Sequence, residues 1–420
     1  MRNFLFRCIF IVLLLLATVV CFEVAYRVVF YLFPNFLVSN TGVLLDYSDV
    51  YRANGLGVGG YLKENFKGYV KNGYGGKVWW ENDSQGFRYN TDISFGHSPN
   101  EIRVLSLGDS FTAGYRIGQN ETFSSLLEQF LNSKKDGREY RVLISCIESP
   151  VKGLNYLSKF GIKYKPDVVL LGITLGNDIL QSYTGLDSRG PFILDDLHRE
   201  IRENPDYNPD ILKKLGSLYI PEQCVTSPSG KRQINNADNV HLMDKLVSYR
   251  IISNFLKGYD GESIISYYGD KERVSLFDGC NGLGMFMKNE PGRIKEAYKR
   301  LFRILKMYNI LSKKYNFRFI IIIFPQRFQV QKEDWVATKR DHHLKNECFD
   351  LMKPNNEIIK FCIKNDIVCI DPTKDMSDIY NNLHKSMYLP LGDMHMNALG
   401  NSALYSAIKD RVYAEISTKK

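Results

Sequence analysis

Five short apolar runs, each tied to a segment of helical spacing, set the tightest limit on what this chain can fold into. Residues 102–107, 141–144, 168–171, 317–324 and 367–370 are too short for buried helices and read as strands covered on both faces. Between and after them, residues 121–134, 154–164, 294–314, 356–364 and 401–416 carry apolar side chains at helical intervals, as in Phe123, Leu126, Leu127 and Phe130. Such alternation builds an α/β fold: a three-layer α/β/α sandwich around a five-stranded parallel sheet of flavodoxin-like character. The rhythm stops after residue 181 and resumes at residue 292. Between them lie Gly, Pro, Asn and Ser punctuation and one helical stretch, 241–259, so residues 182–291 read as an insertion, a lid or specificity element.

The first 34 residues have a different character. Arg2 and Arg7 precede an uncharged run over 8–22, and apolar residues resume after Glu23 as Val24, Ala25 and Tyr26 and, past Arg27, as Val28 to Phe33, just before Pro34. A tilted helix using residues 8–33 is long enough to span a bilayer. Small residues are not placed for signal-peptide cleavage, and Val19 and Val20 before Cys21 do not suit a lipidation site. The expectation is an uncleaved signal anchor with its basic tip in the cytoplasm, a single-pass membrane protein whose remaining chain is periplasmic or extracellular. Residues 35–100 then form a stem with short strands, and 101–181 and 292–420 are the two halves of the main domain.

Composition excludes more than it assigns. The chain has 420 residues, 44% hydrophobic and 24% charged, and an excess of 55 Lys+Arg over 46 Asp+Glu that never gathers into a block. Nothing in the charge points to nucleic acid. The eight cysteines form no CxxC pair and no Cys/His cluster at zinc spacing, so no metal site is expected. Outside the cytoplasm, however, disulfides persist. Of the six cysteines beyond the anchor, Cys224 and Cys280 share one segment and are the expected pair.

In open α/β sheets ligands gather at the carboxyl ends of the strands. The first strand ends in Gly108-Asp109-Ser110, which puts a serine hydroxyl at a helix start, where its own N–H points into the positive end of the helix. The third ends in Gly176-Asn177-Asp178, and an Asn amide there can donate to a developing oxyanion. Just before the last helix, His395 follows Asp393 by two residues; a histidine supplies the base that a serine hydroxyl lacks, and the carboxylate can fix its tautomer.

In that order, each at a strand end or its equivalent, these pieces resemble the SGNH, or GDSL, hydrolase superfamily. Residues 82–88, Asn-Asp-Ser-Gln-Gly-Phe-Arg, look like the lead-in of membrane-anchored members from bacterial envelopes. The resemblance implies that Ser110 is the nucleophile, His395 the general base, Asp393 its orienter and Asn177 an oxyanion donor, with no metal or organic cofactor. A second-block glycine should complete the oxyanion hole, and Gly153 is the candidate. The Asp-to-His gap of two resembles the envelope polysaccharide O-acetyltransferases of the superfamily. A serine esterase acting on acylated glycans or lipids is therefore expected. An O-acyltransferase served by an acyl-exporting membrane partner is the alternative, as is a carbohydrate-binding scaffold of the same fold without catalysis.

Overall fold

The computed structural model describes residues 62–71, 76–147, 149–184, 282–290, 292–341, 344–389 and 393–417, together with residues 7, 10, 14, 17, 18, 21, 50, 51 and 224. The chain enters through an antiparallel hairpin, β1 (Lys67–Lys71) and β2 (Lys77–Glu81). The first sheet strand, β3 (Glu101–Gly108), is followed by the single-turn α1 (Ser110–Ala113), then α2 (Phe123–Ser133), β4 (Glu139–Cys146), α3 (Pro150–Lys159), β5 (Val168–Thr174) and α4 (Asp178–Thr184). After the interruption come α5 (Gly292–Tyr315), β6 (Arg318–Phe324), α6 (Arg327–Val330), α7 (Lys332–Asp341), α8 (Lys353–Lys364), β7 (Val368–Ile370), α9 (Thr373–Leu383) and α10 (Ala398–Ser417).

The five sheet strands are parallel and stand in the order β4-β3-β5-β6-β7, the flavodoxin-like arrangement. Period-two alternation feeds two cores. Val169, Leu171 and Ile173 of β5 join Ile321 and Ile323 of β6 in one, with α3, α5 and α8 packed on that side. Val168, Leu170, Ile320 and Ile322 join the other, under α2, α9 and α10. Both faces are thus covered, which is why the strands read as unbroken apolar runs. Along α10, Leu404, Ile408, Val412 and Ile416 recur at every fourth position and are all buried, each stabilising the fold by about 1.5–3 kcal/mol.

Several boundaries differ from the sequence expectation. The helix expected over 154–164 begins at Pro150, because Ser149 caps it by accepting from Lys152 N–H and Pro150 presets the first helical φ; beyond Lys159 the chain tightens into a 3₁₀ turn over Gly161–Tyr164. The helices α4, α6, α7 and α9 were not legible. The insertion also re-enters the domain early: Leu283, Met285, Phe286 and Met287 are buried in the first core, and Asp350 N–H bonds Phe286 O at 2.7 Å. The helix expected at 241–259 lies outside the described residues.

Cys224 pairs with Cys348, which corrects the expected partner Cys280. Lys345 N–H donates to Cys224 O at 2.9 Å, so the segment just after α7 runs beside Cys224 and presents Cys348 to it. Among the described residues no helix is long and apolar enough to cross a membrane, and the anchor expected over 8–33 falls almost wholly outside them.

Candidate active site

The turn after β3 is built around Asp109 and Ser110. Asp109 caps α1, its Oδ1 accepting from Phe111 N–H at 2.9 Å, which leaves Ser110 as the first helical residue with no intrahelical partner for its N–H. Gly108 is required for space, since a Cβ there would collide with the Thr112 side chain. Gly114 ends the turn at φ 73°, a left-handed conformation that a side chain would strain.

The lead-in motif braces this turn. Arg88 is fully buried and donates to Ala113 O, to Gly114 O at 2.8 Å and to Ile117 O at 2.6 Å, while its guanidinium lies 3.6 Å from the Trp80 ring centroid. Ala113 O is a carbonyl that the one-turn helix leaves without an intrahelical partner, and Gly114 O accepts in addition from Ile117 N–H at 3.4 Å. Upstream, Asp83 Oδ1 accepts from Gln85 and Phe87 N–H, an Asx turn that aims Arg88 inward. Burial pushes the Asp83 carboxyl up to about 6.

His395 meets Ser110 from the opposite side. Its Nε2 is 2.7 Å from Ser110 Oγ, and its Nδ1 is 2.6 Å from Asp393 Oδ1. The same Asp393 oxygen accepts from His395 N–H at 3.0 Å, so the two-residue gap folds the carboxylate back onto both donors. With Nδ1–H donating to the carboxylate, Nε2 is left to accept the serine proton. The ring is flanked by Tyr115 and Phe111, at centroid distances of 4.3 and 4.8 Å. Arg116 Nη1 approaches the other Asp393 oxygen at 3.4 Å.

The histidine segment is itself held. Tyr388 and Met396 form an antiparallel bridge, and Leu389 N–H bonds His395 O at 2.8 Å. Arg327 donates to Asp393 O at 3.0 Å while its other nitrogens bond the Asp334 carboxylate, tying the segment to α7.

Asn177 stands beside the same turn. Its Nδ2 donates to Asp109 Oδ2 at 3.1 Å, and Thr174 Oγ1 donates to Asp109 Oδ1 at 3.1 Å. An amide nitrogen carries two hydrogens; the bond to Asp109 uses one and orients the other. Burial raises the Asp109 carboxyl, opposed by hydrogen bonds from Asn177 and Phe111 and by the charge of His395. Asp178, whose Oδ2 accepts from Thr174 N–H at 2.7 Å, is pushed well up, by burial first and by Asp109 second.

Gly153 does not join this group. It lies inside α3 with its N–H bonded to Ser149 O at 2.8 Å, so that donor is already committed to the helix. What Gly153 provides is room: a Cβ there would be 2.4 Å from Tyr308 Oη.

The structure therefore brings Ser110, Asp393, His395 and Asn177 together and leaves Gly153 aside. Sequence reasoning missed Asp109 as the link between Ser110 and Asn177, and Tyr115, Arg116 and Arg327 as the surroundings of the histidine. Arg88 stood within a motif that had been singled out without a role.

No family model and no curated protein matches the chain. Solved structures similar to it include an acetyl xylan esterase at 13% identity and TM-score 0.36, covering 74% of this chain and 100% of that one. An acetylxylan esterase from Geobacillus stearothermophilus gives 12% identity and TM-score 0.36, covering 75% of this chain and 94% of that one. An acylhydrolase of Bacteroides fragilis gives 10% and 0.31, covering 76% and 90%.

Proposed function

We propose that this chain is a serine-dependent ester hydrolase of the SGNH type, working through an acyl-enzyme. The observation that carries the reading is the unbroken series of contacts from Ser110 Oγ to His395 Nε2 at 2.7 Å and from His395 Nδ1 to Asp393 Oδ1 at 2.6 Å. Ser110 Oγ attacks the ester carbonyl as His395 takes its proton, and Asp393 stabilises the imidazolium. Charge developing on the carbonyl oxygen meets the Ser110 N–H and the second amide hydrogen of Asn177. His395 then returns the proton to the departing alcohol, and water, activated by the same imidazole, releases the acid.

Exposure to a fluorophosphonate is the direct test. The wild-type protein should be labelled at Ser110, and Ser110→Ala should not be labelled although it melts at nearly the same temperature. A folded wild-type protein that resists the reagent sinks the proposal and favours the non-catalytic scaffold.

The substrate is proposed to be an acylated glycan or lipid of the cell envelope, met outside the cytoplasm. Support comes from the apolar run over 8–33 and from the Cys224–Cys348 disulfide, a bond that persists in oxidising compartments. A reporter active only after export, fused at Lys420, should work, and one that fluoresces only in the cytoplasm should stay dark. The reverse outcome removes the anchor. Transfer of the acyl group to a sugar hydroxyl, with an acyl-exporting membrane partner as donor, is the second reading. What favours it is the two-residue Asp393-to-His395 gap, which resembles that of envelope polysaccharide O-acetyltransferases and here lets one Asp393 oxygen accept from both Nδ1 and N–H of His395.

A further inference from the structure

Gln326 stands two residues past the end of β6, and its side chain has no place in the scheme above. It is 1% exposed, yet among the described residues neither Nε2 nor Oε1 has a hydrogen-bond partner. Burying a carboxamide with both ends unsatisfied destabilises a fold, and native proteins rarely tolerate it without a use. The surroundings suggest one. A Cβ placed on Gly176 would lie 2.8 Å from Gln326 Nε2, 2.9 Å from Oε1 and 2.9 Å from Met394 Cε. The amide and the Met394 methyl group thus meet the same point beside Gly176, which precedes Asn177, while Met394 stands between Asp393 and His395. The amide borders the nucleophile's oxyanion side and its base side at once.

The Met394 methyl group adjoins this position, 2.9 Å from the point a Gly176 Cβ would occupy. The unbranched Met394 side chain is only partly buried, so it can change rotamer more readily than a branched residue. The absence of a side chain at Gly176 leaves the amide within reach once that methyl group withdraws. An amide offers a donor and an acceptor side by side, and the smallest group that answers both is a hydroxyl. A sugar ester carries such a hydroxyl on the carbon next to its acylated oxygen.

We infer that the Gln326 amide, beside Gly176 and near Met394, is a subsite for the free hydroxyl that neighbours the scissile ester of a glycan substrate. This deepens the hydrolase reading and rests on it for the chemistry, but the binding can be read separately. The probes are a methyl glucoside bearing one acetyl ester beside a free hydroxyl, and its counterpart deoxygenated at that hydroxyl. The full-length wild-type protein should prefer the hydroxylated ester by about 10–100-fold in kcat/KM, since a site built to pair a hydroxyl is left with unpaired groups by the analogue. In Gln326→Met, which keeps length and removes both polar atoms, that preference should fall to within about twofold. The ratio is taken on one preparation, so the folded fraction cancels. The variant should also melt about 2–4 °C higher, as an apolar side chain suits a position where the amide had no partner.

Calorimetry on Ser110→Ala completes the test without turnover. Adding Gln326→Met should weaken binding of the hydroxylated ester about tenfold and leave the deoxy compound where it was. Should wild type hydrolyse neither ester, the hydrolase reading fails while this binding difference still decides the subsite. A wild-type protein indifferent to the hydroxyl, a preference that survives in Gln326→Met, or equal binding by the two Ser110→Ala backgrounds overturns the inference.

Discussion

His395→Ala is expected to lower kcat for an aryl acetate by about 10⁵–10⁶, because the serine then has no base and no group to protonate the leaving oxygen. Ser110→Ala should match it, and the double variant should be no worse than either, since the two side chains act as one unit through their 2.7 Å contact. Asp393→Asn keeps the shape of the segment and should still lose about 10⁴, through the wrong histidine tautomer. Single-turnover kinetics would separate loss of acylation from loss of product release. Residual activity above about a tenth in His395→Ala would mean that another group takes the proton, and the catalytic assignment would fall.

The second large effect concerns stability. Arg88→Ala should cost about 3–5 kcal/mol in denaturant unfolding, because it removes the buried guanidinium bonds to the carbonyls of Ala113, Gly114 and Ile117 and opens a cavity against Trp80. Arg88→Lys should recover only part of this, since an ammonium cannot reach carbonyls spread over a turn as a planar guanidinium does. Activity should fall further than the folded fraction does, because the braced turn also positions Tyr115 against the His395 ring. Unfolding midpoints equal to wild type in Arg88→Ala would show that the turn holds without its brace.

Legibility in the sequence followed the strength of the physical signal. The five strands were clear because burial on both faces turns them into unbroken apolar runs, as in β5, where every residue is buried. Helix α7 was not, because Lys332–Asp341 is polar over most of its length and contributes Trp335 to the core almost alone. Ser110 and Asn177 could be read because strand ends collect chemistry, and Asp393 and His395 because a carboxylate two residues before a histidine can meet its ring. Gly153 failed for a local reason: Ser149-Pro150 starts a helix four residues earlier than its apolar spacing suggests, and a helix interior has no N–H to lend. Asp109, Arg327 and Gln326 act across the fold, between segments that adjacency in the chain does not link.

Among the described residues the neighbouring pair β5 and β6 zips the two halves of the sheet together, joining Val168–Thr174 to Arg318–Phe324 across the whole interruption. Closing so long a loop is thermodynamically mild, because the entropy lost grows only with the logarithm of its length, roughly 0.6 kcal/mol for each doubling. Kinetically it is not mild, since contacts distant in sequence are slow to form. Ser110 and His395 are 285 positions apart, one on each side of that zipper. On the proposed assignment, a newly made chain holds its nucleophile and its base apart until β6 has paired with β5. Reactivity at Ser110 arises late, as a property of the finished sheet, so partly folded protein would carry the serine without the power to use it.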